Sequence, residues 1–82
     1  MEFKPGDIIS YHYFNNGQYL AQVVEAGNAG LQVIPLYDLV EEIELPYTTS
    51  IIKFENTTNL ITLGNHKLPL DIVREHYPEY LI

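Results

Sequence analysis

The chain has 82 residues, enough for one domain and too few for two. Its net charge is −7, and only four Lys and Arg residues are present, which argues against direct binding to nucleic acid or to an anionic membrane. A composition of 46% hydrophobic and 18% charged residues is globular, and the absence of cysteine excludes disulfides and zinc–thiolate sites. With no apolar run of membrane-spanning length and no signal-like start, we expect residues 1–82 to form a single cytoplasmic domain.

The first third of the chain predicts a β-hairpin. A Pro-Gly-Asp turn at residues 5–7 precedes a β-branched and aromatic strand over Ile8–Phe14. The Asn16-Gly17 pair favours a type I′ turn, and Tyr19–Glu25 is the returning strand. Both faces of the first strand are expected to be partly apolar. Ile9, Tyr11 and Tyr13 would share one face, and Ile8, Ser10, His12 and Phe14 the other.

Runs of apolar residues between Gly, Asn and Pro turns predict the later elements. The further strands are expected at Leu31–Tyr37, Glu42–Leu45, Tyr47–Glu55 and Leu60–Leu63. Pro35 lacks an N–H and indicates an edge or a bend in the third strand. The spacing of apolar residues predicts one helix over Pro69–Tyr77, followed by an extended tail.

These elements are typical of a mainly β fold with five or six antiparallel strands and one short C-terminal helix. The favoured architecture is a small SH3-like barrel, because closing the sheet removes exposed edges and encloses a core. An OB-like barrel and a small α+β sheet are the alternatives.

Three segments of the chain resemble the first strands of the MazF/PemK toxin family, whose fold is an SH3-like barrel. The segments are residues 3–9, 21–24 and 33–36, which read FKPGDII, AQVV and VIPL. In that family an Arg near the second strand and a Thr or Ser after the third carry ribonuclease chemistry. Here no Arg precedes Arg74, and Tyr37 stands where the Thr is expected. The resemblance implies the barrel without the catalytic residues.

Motifs for catalysis and for cofactors are missing from the sequence. His12, His66 and His76 have no metal-ligand spacing, and no dinucleotide, P-loop or esterase motif is present. We therefore expect no cofactor, no metal and no catalytic residues.

The candidate binding residues combine tyrosines with an acidic cluster. Tyrosine pairs a large apolar body with a polar tip, which suits recognition surfaces as well as half-buried positions. The candidates are Tyr11, Tyr13, Tyr19, Tyr37, Asp38, Glu41, Glu42 and Glu44. Alternatively, Glu42 and Glu44 form only the solvent face of a strand whose other face, Ile43 and Leu45, lies in the core.

The sequence favours a non-catalytic protein-interaction module of the kind that phages and mobile elements use against host proteins. We expect its partner to be a protein, of basic charge, or a second copy of the chain in a homodimer. The first alternative is a small-ligand or nucleotide-binding barrel whose pocket is lined by His12 and tyrosines. The second is a diverged MazF-like ribonuclease.

Overall fold

A computed structural model describes residues 3–14 and 17–64. This part of the chain is mainly β, as predicted, and its strands pair in antiparallel fashion. The strands are β1 (Ile8–Tyr13), β2 (Gly17–Ala26), β3 (Gly30–Asp38), β4 (Ile43–Glu44), β5 (Ser50–Lys53) and β6 (Thr57–Gly64), with a 3₁₀ turn at Phe54–Asn56 between the last two.

The six strands form one sheet in the order β4-β3-β2-β1-β6, and β5 also pairs with β3. Over residues 3–14 and 17–64 no strand pairing joins β5 or β4 to β6, so this sheet is open and the predicted barrel closure is not seen. The predicted helix Pro69–Tyr77 and the tail after it lie outside the described residues. Within the described ranges the 3₁₀ turn is the only helical element, and no helix is long and apolar enough to cross a membrane.

The sheet is strongly bent, because the short segment between β5 and β6 connects two corners that would be far apart in a flat sheet. Lys53 pairs with Gly30 at one end of β3, whereas Thr57 pairs with Tyr13 at the opposite end of the first hairpin. In a flat sheet these corners would lie roughly 30 Å apart, but the four-residue step from Lys53 to Thr57 spans at most about 14 Å. The 3₁₀ turn therefore draws the two corners together.

Two backbone hydrogen bonds tie the 3₁₀ turn to these corners. The Phe54 N–H donates to the Ala29 carbonyl at 3.0 Å, and the Phe14 N–H donates to the Asn56 carbonyl at 2.8 Å. The long strands bend between these points at register shifts, one of which lies between Val23 and Glu25.

The β1–β2 hairpin is confirmed, but its turn is not the predicted one. A type I′ turn centred on Asn16-Gly17 would place Gly17 in the turn itself. Instead, Gly17 belongs to β2 and pairs with Tyr13, so three residues separate the strands. Phe14, the first of them, has a positive φ of 54°. Asn15 and Asn16 lie outside the described residues.

Apolar side chains pack on both faces of the sheet, as the alternation in β1 predicted. The first core cluster contains Ile9, Tyr11, Ala21, Val23, Leu31, Val33 and Ile52. The second contains Ile8, Leu20, Tyr37 and Leu39. The adjacent residues Ile8 and Ile9 belong to different clusters because successive side chains of a strand point to opposite faces.

The edge formed by β4 and β5 follows the sequence prediction only in part. Ile52 is buried, and Phe54 packs against the same cluster. Pro35 lies at a register shift in which Leu36 is the extra residue of β3, and this is the predicted bend. The prediction that Ile43 is a core residue is wrong, because the two-residue β4 leaves its side chain 52% exposed.

Candidate functional site

Four aromatic rings gather at the end of the β1–β2 hairpin. Tyr11 and Tyr19 are cross-strand partners with ring centroids 5.7 Å apart, and Tyr13 meets the edge of Tyr11 at 6.4 Å. Phe14 packs edge-on against Tyr13 at 4.5 Å. Edge and tilted contacts at these distances are favourable for aromatic pairs, so the rings hold one another in place.

The three tyrosines form one wall of a cavity of about 190 Å³, and the β4–β5 region forms the other. We call this cavity the tyrosine cleft. Its lining residues are Tyr11, Tyr13, Tyr19, Pro35, Leu45, Ser50, Ile51 and Ile52. It lies on the same face of the sheet as the first core cluster and is open to solvent beside it. The structure therefore brings the three N-terminal candidate tyrosines together at one cavity.

Tyr11 lies at the bottom of the cleft, and this candidate binding residue is buried, with a side chain only 2% exposed. Burial raises the pKa of the Tyr11 phenol well above its ordinary value, and the neighbouring Tyr19 and Tyr13 raise it further. Tyr13 and Tyr19 are half-buried and present part of their rings to solvent. Tyr13 and Tyr19 are therefore accessible to a binding partner, whereas Tyr11 is not.

Tyr37 does not belong to the cleft. It pairs with Leu20 in the neighbouring strand and is 2% exposed in the second core cluster, on the other face of the sheet. This candidate binding residue is therefore buried, in a cluster that also contains Leu39.

The acidic candidates occupy a turn that we call the acidic turn, residues Asp38–Glu44. The Asp38 carboxylate accepts hydrogen bonds from the backbone N–H groups of Val40 and Glu41, both at 3.0 Å. Asp38 thus stabilises the turn, as short polar side chains commonly do. The other three candidate carboxylates, those of Glu41, Glu42 and Glu44, are exposed.

The register of the sheet places the acidic turn beside the tyrosine cleft. Tyr19 pairs with Asp38 on β3, and Asp38 pairs with Ile43 on β4, so these three residues follow one another across adjacent strands. Leu45, which lines the cleft, comes directly after Glu44 and donates its N–H to the Leu36 carbonyl at 3.1 Å. The acidic turn therefore begins beside Tyr19 and ends one residue before Leu45 of the cleft.

His12 lies on the face of the sheet opposite the tyrosines. Its Nδ1 is 3.0 Å from the amide nitrogen of Asn59, and its strand partner is Gln18. His12 is not a lining residue of the tyrosine cleft, because residues 11 and 12 of one strand face opposite ways. Over residues 3–14 and 17–64 no three His, Asp or Glu side chains converge as metal ligands would.

The sequence analysis missed the apolar side of the cleft, and above all Ile51. Its side chain is 71% exposed, although it lies in the middle of β5. The adjacent pair Ile51-Ile52 could have indicated this exposure. Successive side chains of a strand point to opposite faces, so the two isoleucines cannot both point into the same core cluster. Ile51 also lines a shallower hollow of about 350 Å³ at the β2–β3 turn, together with Glu25 and Lys53.

No family model, no curated protein and no solved structure matches this chain. The similarity to the MazF/PemK toxins therefore remains a sequence resemblance. Tyr37 is enclosed in the second core cluster, and Arg74 lies outside the described residues.

Proposed function

We propose that this chain is a non-catalytic protein-interaction module that binds an apolar side chain of a basic protein partner in the tyrosine cleft. The observation that carries the proposal is the convergence of Tyr11, Tyr13 and Tyr19 on one open cavity. Tyrosine is enriched among the residues that dominate binding energy at protein interfaces, since its ring contributes large contact area with few rotatable bonds.

The chemistry of the cleft supports binding. Among its described lining residues, none is Asp, Glu, His, Lys or Arg, and the polar groups are the tyrosine hydroxyls and Ser50. The side chains that most often transfer protons in enzymes are imidazoles and carboxylates, and the cleft is built from neither. Tyr11 is a neutral phenol near pH 7 at the ordinary tyrosine pKa of about 10, and burial raises its pKa further.

The size and rim of the cleft favour a protein partner over a small ligand. A cavity of about 190 Å³ is smaller than the roughly 300–1,000 Å³ that small-molecule sites occupy. Apolar surface continues at the rim, where Ile51 lines the cavity and is 71% exposed. A protein can cover such a rim while one of its side chains fills the cleft.

The charge of the chain supports a basic partner. The acidic turn, with three exposed carboxylates, ends one residue before Leu45 of the cleft, and the net charge of the chain is −7. Complementary charge at an interface speeds association and selects against partners of the same sign.

We propose further that the fold is an SH3-like barrel. Support comes from the order of the strands, in which the last described strand, β6, lies beside the first, and from the 3₁₀ turn that draws the β5 and β6 edges together. A sheet bent in this way has a concave face, and the first core cluster and the cleft share one face of it.

Selection from a random peptide display library tests the proposed function. We expect peptides that bind the parent chain, and we expect a Tyr13→Ala, Tyr19→Ala double variant to bind them about tenfold or more weakly, because interface tyrosines often contribute over 1 kcal/mol. Ile61→Ala removes an exposed side chain on the opposite face and serves as the control. Equal affinity of the double variant and the parent would refute the cleft as the binding site.

A further inference from the structure

We infer that the partner binds as an extended strand along the edge of β5 that no described strand occupies, which we call the free edge, and directs a side chain into the tyrosine cleft. This inference rests on the proposed function and specifies the form of the partner. Addition of a strand to an exposed sheet edge is a common mode of peptide recognition, in which main-chain hydrogen bonds provide affinity and pockets for alternate side chains provide specificity.

The hydrogen bonds between β5 and β3 determine which backbone N–H and carbonyl groups of β5 point away from β3. Phe54 donates its N–H to Ala29, which makes these two a hydrogen-bonded pair of the ladder. Such pairs alternate in an antiparallel ladder, so the backbone groups of Ile52 point toward β3. Those of Ile51 and Lys53 point away from it, to the edge where no described strand lies.

Ile51 is the residue at which an added strand can pair. The Lys53 carbonyl already accepts a hydrogen bond from the Thr57 hydroxyl at 3.3 Å. No hydrogen bond within the described ranges engages the N–H or the carbonyl of Ile51 on this edge. A partner residue opposite Ile51 can therefore exchange both hydrogen bonds of a ladder pair.

The free edge and the cleft are continuous. Ser50, Ile51 and Ile52 form the β5 wall of the cleft, so a strand placed along β5 passes its mouth. Successive side chains of that strand point to opposite faces, and every second one points toward Tyr13 and Tyr19. An aromatic or branched apolar side chain at that position would fill the cavity.

Charge complementarity decides between a second copy of this chain and a foreign segment. The acidic turn lies at the Leu45 end of the cleft, and each copy of the chain carries a net charge of −7. Edge-to-edge pairing of two copies would bring like charges together, which is unfavourable. The occupant is therefore a basic extended segment of another protein, with apolar residues at alternate positions.

The test uses a capped nonapeptide in which Lys and Val alternate around a central Phe, with a matched peptide that carries Glu in place of each Lys. Hydrogen exchange of the Ile51 amide, followed by NMR, reports strand addition directly. We expect saturating Lys peptide to slow this exchange by about tenfold or more, while the Glu peptide has no effect. Unchanged exchange with the Lys peptide at millimolar concentration would overturn the inference.

Two N-methylated forms of the Lys peptide separate strand pairing from side-chain docking without altering the protein. One form is methylated at the amides that would face β5 and the other at the amides that would face away. We expect only the first to bind about tenfold or more weakly, because it loses donors to the edge. Equal binding of both forms would overturn strand addition. If Tyr13→Ala, Tyr19→Ala still weakened that binding, the proposed function would stand and only the form of the partner would be wrong.

Discussion

Tyr11 and Tyr19 lie directly opposite each other on β1 and β2, with their ring centroids 5.7 Å apart, yet they serve the fold differently. Tyr11 is enclosed at the bottom of the cleft, whereas Tyr19 is half-buried at its side. One residue therefore supports the cavity, and the other is available to a partner. The predictions below separate these structural contributions from recognition.

Replacing Tyr11 with Ala should strongly destabilise the protein. The side chain is 2% exposed in the first core cluster, and truncating a buried aromatic ring to Ala typically costs about 3 to 5 kcal/mol. Tyr47→Ala is the matched control, because Tyr47 is 76% exposed and its loss should change the free energy of unfolding by less than about 0.5 kcal/mol. Urea denaturation measures both, and similar values for the two variants would contradict the placement of Tyr11.

The stability of the protein should fall at alkaline pH because of Tyr11. Burial raises the pKa of this phenol in the folded chain above its unfolded value of about 10. The stabilisation from the neutral phenol is therefore complete below pH 10 and is lost as the pH rises from there toward the folded pKa. Urea denaturation at pH values between 8 and about 11.5 should show this decline.

The variant Tyr11→Phe tests whether Tyr11 causes the loss of stability at alkaline pH. It keeps the ring and removes the ionisable group, so its free energy of unfolding should fall less steeply above pH 10 than that of the parent. Tyr47→Phe removes an exposed tyrosine and should leave the decline at its parental steepness. Parallel curves for the parent and Tyr11→Phe would show that another group causes the decline.

Gly30→Ala should destabilise the junction of β3 and β5. A Cβ at this position would overlap the Ile52 carbonyl oxygen and lie 3.0 Å from the Cα of Lys53, and backbone atoms cannot yield as a flexible side chain can. Forcing extra atoms into such a site costs about 1 to 3 kcal/mol.

Gly27→Ala is the matched control for Gly30→Ala. Its Cβ would meet only the Gly30 carbonyl oxygen at 3.4 Å, so we expect a change within about 0.5 kcal/mol. Thermal and urea unfolding of both variants measure the difference. Equal stability of the two would contradict the close approach of β5 to Gly30.

Glu42→Gly should stabilise the protein. Glu42 has a φ of 59°, a left-handed conformation that costs a non-glycine residue about 1 kcal/mol or more and costs glycine little. The greater entropy of glycine in the unfolded chain offsets part of this, leaving an expected gain of about 0.5 kcal/mol. Glu42→Gln removes the charge and keeps the Cβ, so it should not show the gain. A gain of equal size in Glu42→Gln would attribute the effect to charge repulsion in the acidic turn.

The strands were the most predictable part of the molecule. Alternation in Ile8–Tyr13 predicted a strand with two apolar faces, and the two core clusters confirm it. The turn of the first hairpin was less predictable, since Asn-Gly favours a two-residue turn but pairing of Gly17 with Tyr13 leaves a three-residue connection. Packing of Tyr11 against Tyr19, and the whole register of the hairpin, depend on that choice.

The cleft could be predicted only in part, because its two walls come from distant parts of the chain. The tyrosine wall was visible in β1 and β2, but whether Tyr11 is exposed depends on Leu45 and β5, which cross its face more than thirty residues later. Ile43 also depends on tertiary contacts. The alternation of charged and apolar residues around it suggested that its side chain is buried, but no described element covers the two-residue β4, and the side chain is exposed.

Local patterns in the sequence predicted most of the strands of residues 3–14 and 17–64 in outline, the two-sided apolar character of β1 and the acidic charge, because period-two alternation and net charge depend on neighbouring residues or on composition alone. Only the tertiary structure decided which tyrosines are buried, that Tyr19 adjoins Asp38 and that Ile51 lies in a strand that pairs only with β3 among the described strands. These relationships depend on register and on how far the sheet bends, and both are set by contacts between residues far apart in the chain.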